Sequence, residues 1–573
     1  MSLQNALWVI RNQEITEEIH QLSRALNFEP EYTALLFSRG VTTFEQARRF
    51  FKPSYDDLYD PMLFRDMDEA VEHLALAVQR GEKIMFYGDY DVDGTTSVAL
   101  MSRFFRSFYP NFITYIPDRY TEGYGLTLRG VQYAKLSGVH TIVTLDCGIK
   151  SVELAKEIRH LGMHLIVIDH HTPGHTFPDA VAVVDAKRPD CPYPYKELSA
   201  CAVAFKLACA LADRFCIDKG QLYDLLDLVA LSIGADMVPL TDENRILMMM
   251  GLQVLNSKPT LGLAALIKSA GITGPITSYH VGFIIGPRIN AAGRIDHANV
   301  ALELLTTDDL NKATEIANQI ESLNAERKSI QDLTANEAIS MVKSNPERYN
   351  YAIALYGKDW LKGVLGIVAA RLVEEFYRPA IVFTESQGKL VGSARSTPTV
   401  DIYNVLERCE QHIYQYGGHR QAAGVTVLPE KFEEFFSEFN HQVKSLSTID
   451  DRQRTLVAEA VIRLAQIDEK FTRLSTKHLQ PTGYGNPTPL FVSRKLKVLE
   501  SSRLMGADQS HIRLHLHEEM TNTTKEAVWF SKGHYFEQIR SASAVDVMYR
   551  VEFNDFRNER RIQLRVEDIA LHS

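Results

Sequence analysis

Between residues 83 and 185 the chain repeats one pattern: a short apolar run, then a longer stretch of mixed polarity. Lys83-Ile84-Met85-Phe86-Tyr87, Asn111 to Ile116, Val139 to Leu145, His164 to Ile168 and Ala182 to Val184 are the runs. Their length and their Ile, Val and Phe content predict buried strands. The stretch from Ser151 to Leu161 predicts a helix, as do Leu198 to Phe215 and Gln221 to Leu231. Strands separated by helices imply a parallel sheet covered on both faces.

The ends of these strands carry the candidate chemistry. The first runs into Gly88-Asp89-Tyr90-Asp91-Val92-Asp93-Gly94, and Thr95-Thr96-Ser97 then offers hydroxyls to cap a helix. The third ends at Asp146-Cys147-Gly148, the fourth at Asp169-His170-His171 and the fifth at Asp185. One strand-end Asp is commonly a helix cap, but capping alone does not explain four such ends that also carry His. Open α/β sheets hold ligands at the carboxyl ends of their strands. Crowded carboxylates repel, and a divalent cation is their cheapest relief. An EF-hand is excluded, because Leu100 stands where that loop needs a Glu. Asp236 lies in an apolar frame, where an unpaired acid is costly and ligation would remove the cost.

Composition narrows the class. The chain has 573 residues, 45% of them apolar and 23% charged, as in a protein of three or four globular domains. Neither a membrane span nor a secretion signal is evident. Six scattered cysteines form no Cys-x-x-Cys pair, so a reducing cytoplasm is expected. A net charge of −10 argues against a coat of polyanion but leaves room for a local basic groove.

The other regions have distinct textures. Residues 1–70 read as helical and polar, with Pro53 and Pro61 as breaks and no assigned chemistry. Residues 71–305 hold the sheet. From Thr307 an apolar repeat through Ala313, Ile316, Ala317 and Ile320 predicts a long helix joining two domains, over 306–345. Residues 346–448 form a smaller α/β unit, with Gly392 to Ser396 and Gly417 to Gly424 expected as turns. Asn290-Ala291-Ala292-Gly293 is expected as another tight turn. In 453–573, five strands, three of them alternating cleanly, suggest a β-barrel of the OB type. Arg557, Arg560, Arg561, Arg565, Lys495 and Lys497 would track phosphates there, with Tyr549 or Phe556 stacking bases.

Asp89 to Gly94, Asp146, Asp169-His170-His171 and Asp236 together resemble the four motifs of the DHH phosphoesterase superfamily. Pro117-Asp118-Arg119, Glu122-Gly123-Tyr124-Gly125 and Gly286-Pro287-Arg288-Ile289-Asn290-Ala291-Ala292-Gly293-Arg294 are similar to its RecJ-type exonucleases. The resemblance implies a parallel-sheet DHH catalytic domain, a connector helix, a DHHA1 domain and an OB-type barrel. It implies 5′-to-3′ digestion of single-stranded DNA to 5′-mononucleotides by a two-metal mechanism, in repair and recombination. Asp89, Asp91, Asp93, Asp146, His170 and Asp236 would hold two Mn²⁺ or Mg²⁺ ions, with Asp146 the bridge. His171 would contact the scissile phosphate or protonate the leaving oxygen. Arg119, Arg288, Asn290, Arg294, Arg395, Gly418 and His419 would bind substrate. A single-strand-binding protein and a RecQ-type helicase are the candidate protein partners of an expected monomer. Leu361 departs from the family, which tends to have His after this Trp. The alternatives are a nanoRNase or cyclic-dinucleotide phosphodiesterase, which typically lacks the barrel, and an inactive DNA-binding relative, which loses motif acids.

Overall fold

The computed structural model describes residues 2–11, 14–448, 450–556 and 559–572. The N-terminal region is not wholly helical. Before the helices Glu17–Leu26, Pro30–Phe37 and Phe44–Phe51 comes a strand, β1 (Leu7–Ile10), paired in parallel with the distant segment Thr455–Ala458. The Trp8 indole N–H donates to Asp568, and the Leu3 amide donates to the Ile569 carbonyl. The first residues are thus strapped to the last domain.

The catalytic sheet contains β2 (Ile84–Gly88), β3 (Phe112–Tyr115), β4 (Thr141–Leu145), β5 (His164–Ile168) and β6 (Ala182–Val184). All pairings are parallel, in the order β3-β2-β4-β5-β6. β2 and β4 are buried along their whole length, which explains their unbroken apolar sequences. The helix expected over 221–231 is divided into Gly220–Tyr223 and Leu226–Ala235. Lys206 and Glu243 form a buried ion pair under this domain, and Lys206 Nζ also donates to the Tyr59 carbonyl.

The connector is one helix, Leu310–Ser344. Its 35 residues extend about 50 Å at 1.5 Å each. Ala313, Ile316, Ala317 and Ile320 sit in the catalytic core, whereas Ala335, Ala338 and Val342 sit in the core of the next unit. One helix therefore fixes the two units against each other.

That unit has β7 (Ile353–Gly357), β8 (Ala380–Ser386), β9 (Lys389–Arg395), β10 (Gln415–His419) and β11 (Ala422–Val427), in the order β10-β11-β9-β8-β7. Two expected turns are strands here. Gly392 lies in β9 because a Cβ there would fall 2.4 Å from the Phe383 ring, and Gly417 and Gly418 lie in β10.

After β12 (Thr455–Ala458) comes the barrel: β13 (Ala460–Val461), β14 (Phe491–Val498), β15 (Arg503–Met505), β16 (His511–Glu518), β17 (Thr523–Trp529), β18 (Ala544–Phe556) and β19 (Glu559–His572). The five expected strands close a ring, β14-β18-β19-β17-β16, through the pairing of β16 back onto β14. β13 and β15 flank it. Among the described residues, no helix is long and apolar enough to cross a membrane.

Candidate active site

The carboxyl edge of the catalytic sheet gathers the acids. Asp89 follows β2 and is fully buried. Asp91 caps the next helix, Val92–Arg106, its Oδ1 accepting from the amides of Asp93 at 2.9 Å and Gly94 at 3.2 Å. This cap starts the helix before the expected hydroxyls, so Asp93 lies in the first turn. The Asp93 carboxylate accepts from the amides of Ala200 (2.8 Å) and Cys201 (2.9 Å) and from Ser232 Oγ (2.7 Å). Those amides open the helix Ala200–Phe215, whose N-terminus favours an anion.

Asp146 follows β4 at φ +66°, a left-handed conformation that costs roughly 1–3 kcal/mol outside glycine. Asp169 follows β5 and accepts from the amides of Ile149, His170 and His171 and from His171 Nδ1 at 2.7 Å. Burial alone would raise its carboxyl, but the His171 hydrogen bond and the two imidazoles pull it down to about 2. Its oxygens are occupied in orienting the histidine pair. His170 Nδ1 lies 3.1 Å from the Leu198 carbonyl, which makes Nδ1 the donor and leaves Nε2 a free lone pair. Nε2 faces Asp146 at 3.2 Å, Asp93 at 3.6 Å and Asp236 at 3.7 Å.

Among the described residues, three groups each bring their ligand atoms within 4.8 Å of one another: Asp89, Asp91 and Asp146; Asp93, His170 and Asp236; Asp146, His170 and His171. Asp146 and His170 each belong to two. A carboxylate has two oxygens to share between ions, whereas an imidazole nitrogen has one lone pair, so Asp146 alone suits a bridge. Burial first, then the charges of neighbouring acids, push Asp89 up to about 8 and Asp146 well above the carboxylate range. Asp89 Oδ2 is buried with no hydrogen-bond partner. An all-oxygen and imidazole donor set, with an unpartnered oxygen and no thiolate, fits hard divalent cations.

Across a cleft of about 840 Å³ stand the cations, with Arg119, Arg294, Lys362 and Arg395 among its lining. The Arg119 guanidinium lies 3.8 Å over the Tyr90 ring, and its Nε donates to the Gly293 carbonyl at 2.9 Å. Arg294 donates to the Gly363 carbonyl, and Arg395 to Ser393 Oγ and the Ala394 carbonyl. All three are held by uncharged oxygens. Burial, then Arg119 and Arg395, push Arg294 down to about 9. Asn290 lines the same cleft with its Oδ1 buried and unpartnered.

Several expectations do not hold. Arg288 is turned away from the cleft, forked on Glu321 of the connector at 2.6 and 3.1 Å. Asn290 to Gly293 form no turn but part of a helix, Gly286–Ile295. Their small size serves close approach, since a Cβ on Gly293 would lie 2.6 Å from the Tyr90 carbonyl oxygen. Gly418 serves its hairpin, with φ +149° and Ala422 O 2.4 Å from an added Cβ. Tyr549 is fully buried in the barrel, hydrogen-bonded to Ser493 Oγ, and presents no face to a base. Lys497 pairs with Glu519. Arg557 and the Phe556 side chain lie outside the described residues.

His419 reaches the acid cluster from the second unit, its ring 5.9 Å from that of His171 and nearly parallel at 19°. Tyr124, in the glycine-rich loop, sets its hydroxyl 3.0 Å from His171 Nε2. Lys362, directly after Leu361, lines the cleft as well, and nothing in its sequence surroundings marks it. Leu361 packs against the second unit's core.

Known proteins share this arrangement. The DHH family N-terminal domain matches residues 83–233, the DHHA1 domain 348–445 and the RecJ OB domain 458–568. The single-stranded-DNA-specific exonuclease RecJ of Bacillus subtilis is 37% identical over 569 residues, covering 98% of this chain and 71% of that protein. The Haemophilus influenzae protein of the same name is 33% identical, covering 96% of this chain and 97% of its own. The crystal structure of Thermus thermophilus RecJ in complex with Mn²⁺ superposes with a TM-score of 0.85 at 26% identity, covering 100% of this chain and 81% of that one. With identity above 30% along nearly its whole length and these three domains in this order, the chain belongs to the RecJ family of DHH phosphoesterases.

Proposed function

We propose that this chain is a divalent-metal-dependent exonuclease that digests single-stranded DNA from the 5′ end and releases 5′-mononucleotides. One observation carries the reading: three half-buried guanidinium groups, with no acidic partner among the described residues, stand across one cleft from a cluster of five acids and two histidines. Held by Asp89, Asp91, Asp93, Asp146, His170 and Asp236, Mn²⁺ or Mg²⁺ would supply positive charge to the phosphodiester and acidify water.

The chain's own groups account for binding and proton placement. Arg119, Arg294 and Arg395 offer forks to phosphate oxygens, and their partial burial strengthens each contact. Asn290 adds an amide to the same wall. Burial opposes protonation of His171, but Asp169, helped by Asp236 and Asp91, outweighs it and holds the imidazole up at about 9. Its Nδ1 proton is committed to Asp169, so its Nε2 proton faces Tyr124 and the cleft, placed for a phosphate oxygen or the leaving oxygen. His419, stacked on His171, closes the site from the second unit. The barrel adds binding surface for a long strand and favours this reading over a dinucleotide phosphodiesterase.

The test is digestion of 5′- and 3′-labelled strands with Mn²⁺, sizing products over time. Expected are a 5′ label released at once as mononucleotide, a 3′ label that shortens stepwise and a circular strand left intact. Rapid cutting of the circle would overturn the proposal.

A further inference from the structure

Another cavity, of about 370 Å³, lies where three stretches of the chain meet. The N-terminal helix Phe44–Phe51 forms one wall and the catalytic-domain helix Asp242–Ser257 a second. Gly485 and Asn486, in the segment that leads to the barrel, form the third. The cavity shares no lining residue with the acid cleft. Its volume falls within the roughly 300–1,000 Å³ of small-ligand sites.

Its charge is unbalanced. Three arginines and one carboxylate line it. Arg39 is paired with Glu459 at 3.1 Å, and Arg49 with Asp242 at 3.1 Å. Arg245 is only 3% exposed and has no acidic partner among the described residues. Its guanidinium donates to the carbonyls of Phe50, Leu479, Gln480 and Pro481 and lies 3.5 Å over the Phe50 ring. Burial, then Arg39, push it down to about 9. A buried charge without a counter-ion is costly, and an anion in the cavity would supply one.

Two further details mark the cavity. Arg49 Nε is buried without a hydrogen-bond partner. Asp242 is held at φ +42°, a left-handed conformation that is strained outside glycine and recurs at ligand clamps. Its carboxylate accepts from the Tyr59 hydroxyl at 3.1 Å as well as from Arg49. Val41, Leu240 and Ile246 add apolar surface beside the Phe50 and Tyr59 rings.

We propose that this cavity binds a nucleoside 5′-monophosphate, its phosphate on Arg245 and Arg49 and its base against the guanidinium plane. A phosphate monoester brings about −1.5 to −2 of charge at neutral pH to a site short of countercharge. A guanidinium plane also takes a flat ring on its open face. Asp242 offers an acceptor to a sugar hydroxyl or an exocyclic amine. The choice of a nucleotide rests on the exonuclease reading, whose products are such anions. A ligand touching all three walls would fasten the N-terminal region and the barrel's lead-in segment to the catalytic domain, so that their docking responds to product.

The test is equilibrium dialysis of labelled dAMP against the full chain without divalent metal. Wild-type protein should bind dAMP saturably, and inorganic phosphate should compete. Deoxyadenosine, which lacks the charged contacts, should bind at least about tenfold more weakly. Arg245→Met should weaken dAMP binding about 10- to 100-fold, whereas Arg294→Met, in the catalytic cleft, should leave it within about twofold. Bound dAMP should raise the unfolding midpoint of the wild type and not that of Arg245→Met. Absence of saturable binding would overturn the site, as would equal affinity in Arg245→Met and wild type, or equal affinity for deoxyadenosine and dAMP. Binding lost in Arg294→Met alone would place the nucleotide in the catalytic cleft and overturn it too. If Arg245→Met does not fold, Arg49→Met, at a half-buried side chain, is put through the same comparison with the same outcomes. The two readings fail separately. A chain that digests strands but binds no dAMP loses only this site, and one that binds dAMP here but releases no mononucleotide loses only the exonuclease reading.

Discussion

Gly293→Ala tests whether the acid turn and the cation wall are locked by one close contact. The added Cβ would lie 2.6 Å from the Tyr90 carbonyl oxygen, between Asp89 and Asp91. Ordinary close C···O contacts begin at roughly 3.3 Å, so about 0.7 Å has to be opened. Neither side ends in a flexible side chain. One is the helix Gly286–Ile295 and the other is the strand-to-helix turn that carries the acids. Overpacking of this kind costs about 1–3 kcal/mol, while alanine gains about 1 kcal/mol of helix propensity over glycine. The net stability loss is therefore no more than about 2 kcal/mol. Chemistry is less forgiving, because a displacement approaching 1 Å costs up to about 10²-fold. Arg119, which donates to the Gly293 carbonyl, moves with the helix. Steady-state digestion of a labelled strand should show kcat lowered about 10- to 100-fold, with the unfolding midpoint within a few degrees of wild type. A variant with kcat and KM within about twofold of wild type, well short of that range, would refute the lock.

Three further outcomes are expected. Asp146→Asn, which tolerates the left-handed backbone, should lower hydrolysis below about a hundredth yet leave the fold intact, checked by activity and circular dichroism. Without added metal, stability should fall as pH rises from about 4 to 8, because Asp89 is held up at about 8 when folded and the folded state binds the extra proton. Mn²⁺ should flatten that slope in thermal melts, and an unchanged slope would argue against ligation by these acids. Changing Arg557, Arg560, Arg561 and Arg565 together to Ala should raise KM on long strands. It should also lower the salt slope by about 0.7 per lost phosphate contact, with kcat on short strands unchanged.

The sheet and the barrel were legible because their strands are written in local periodicity. β2 and β4 are buried throughout, and β16 of the ring alternates along its whole length. Tyr549 was misassigned against a signal already present: Val545, Val547, Tyr549 and Val551 share one face, and all four are buried. Arg288 and Arg294 occupy one helix, and only tertiary structure shows Glu321 waiting for the first of them. The glycine-rich stretches of the second unit looked like turns because nothing local reveals the Phe383 ring that forbids a side chain at Gly392. Tyr124 meets His171 across 47 residues, and that contact has no sequence spacing of its own.

The pairing of Leu7 with Thr455 has a consequence for biosynthesis. A chain emerging from the ribosome at about 5–20 residues per second leaves its first strand waiting some 20–90 seconds for its partner. The catalytic sheet, whose strands lie within about a hundred residues, is complete long before then. Nascent protein therefore carries an assembled acid centre with an untethered leader, and the strap closes last, after translation has delivered the barrel. A ribosome-stalled chain ending near residue 450 should expose that leader to protease while the sheet resists, and released full-length protein should protect both.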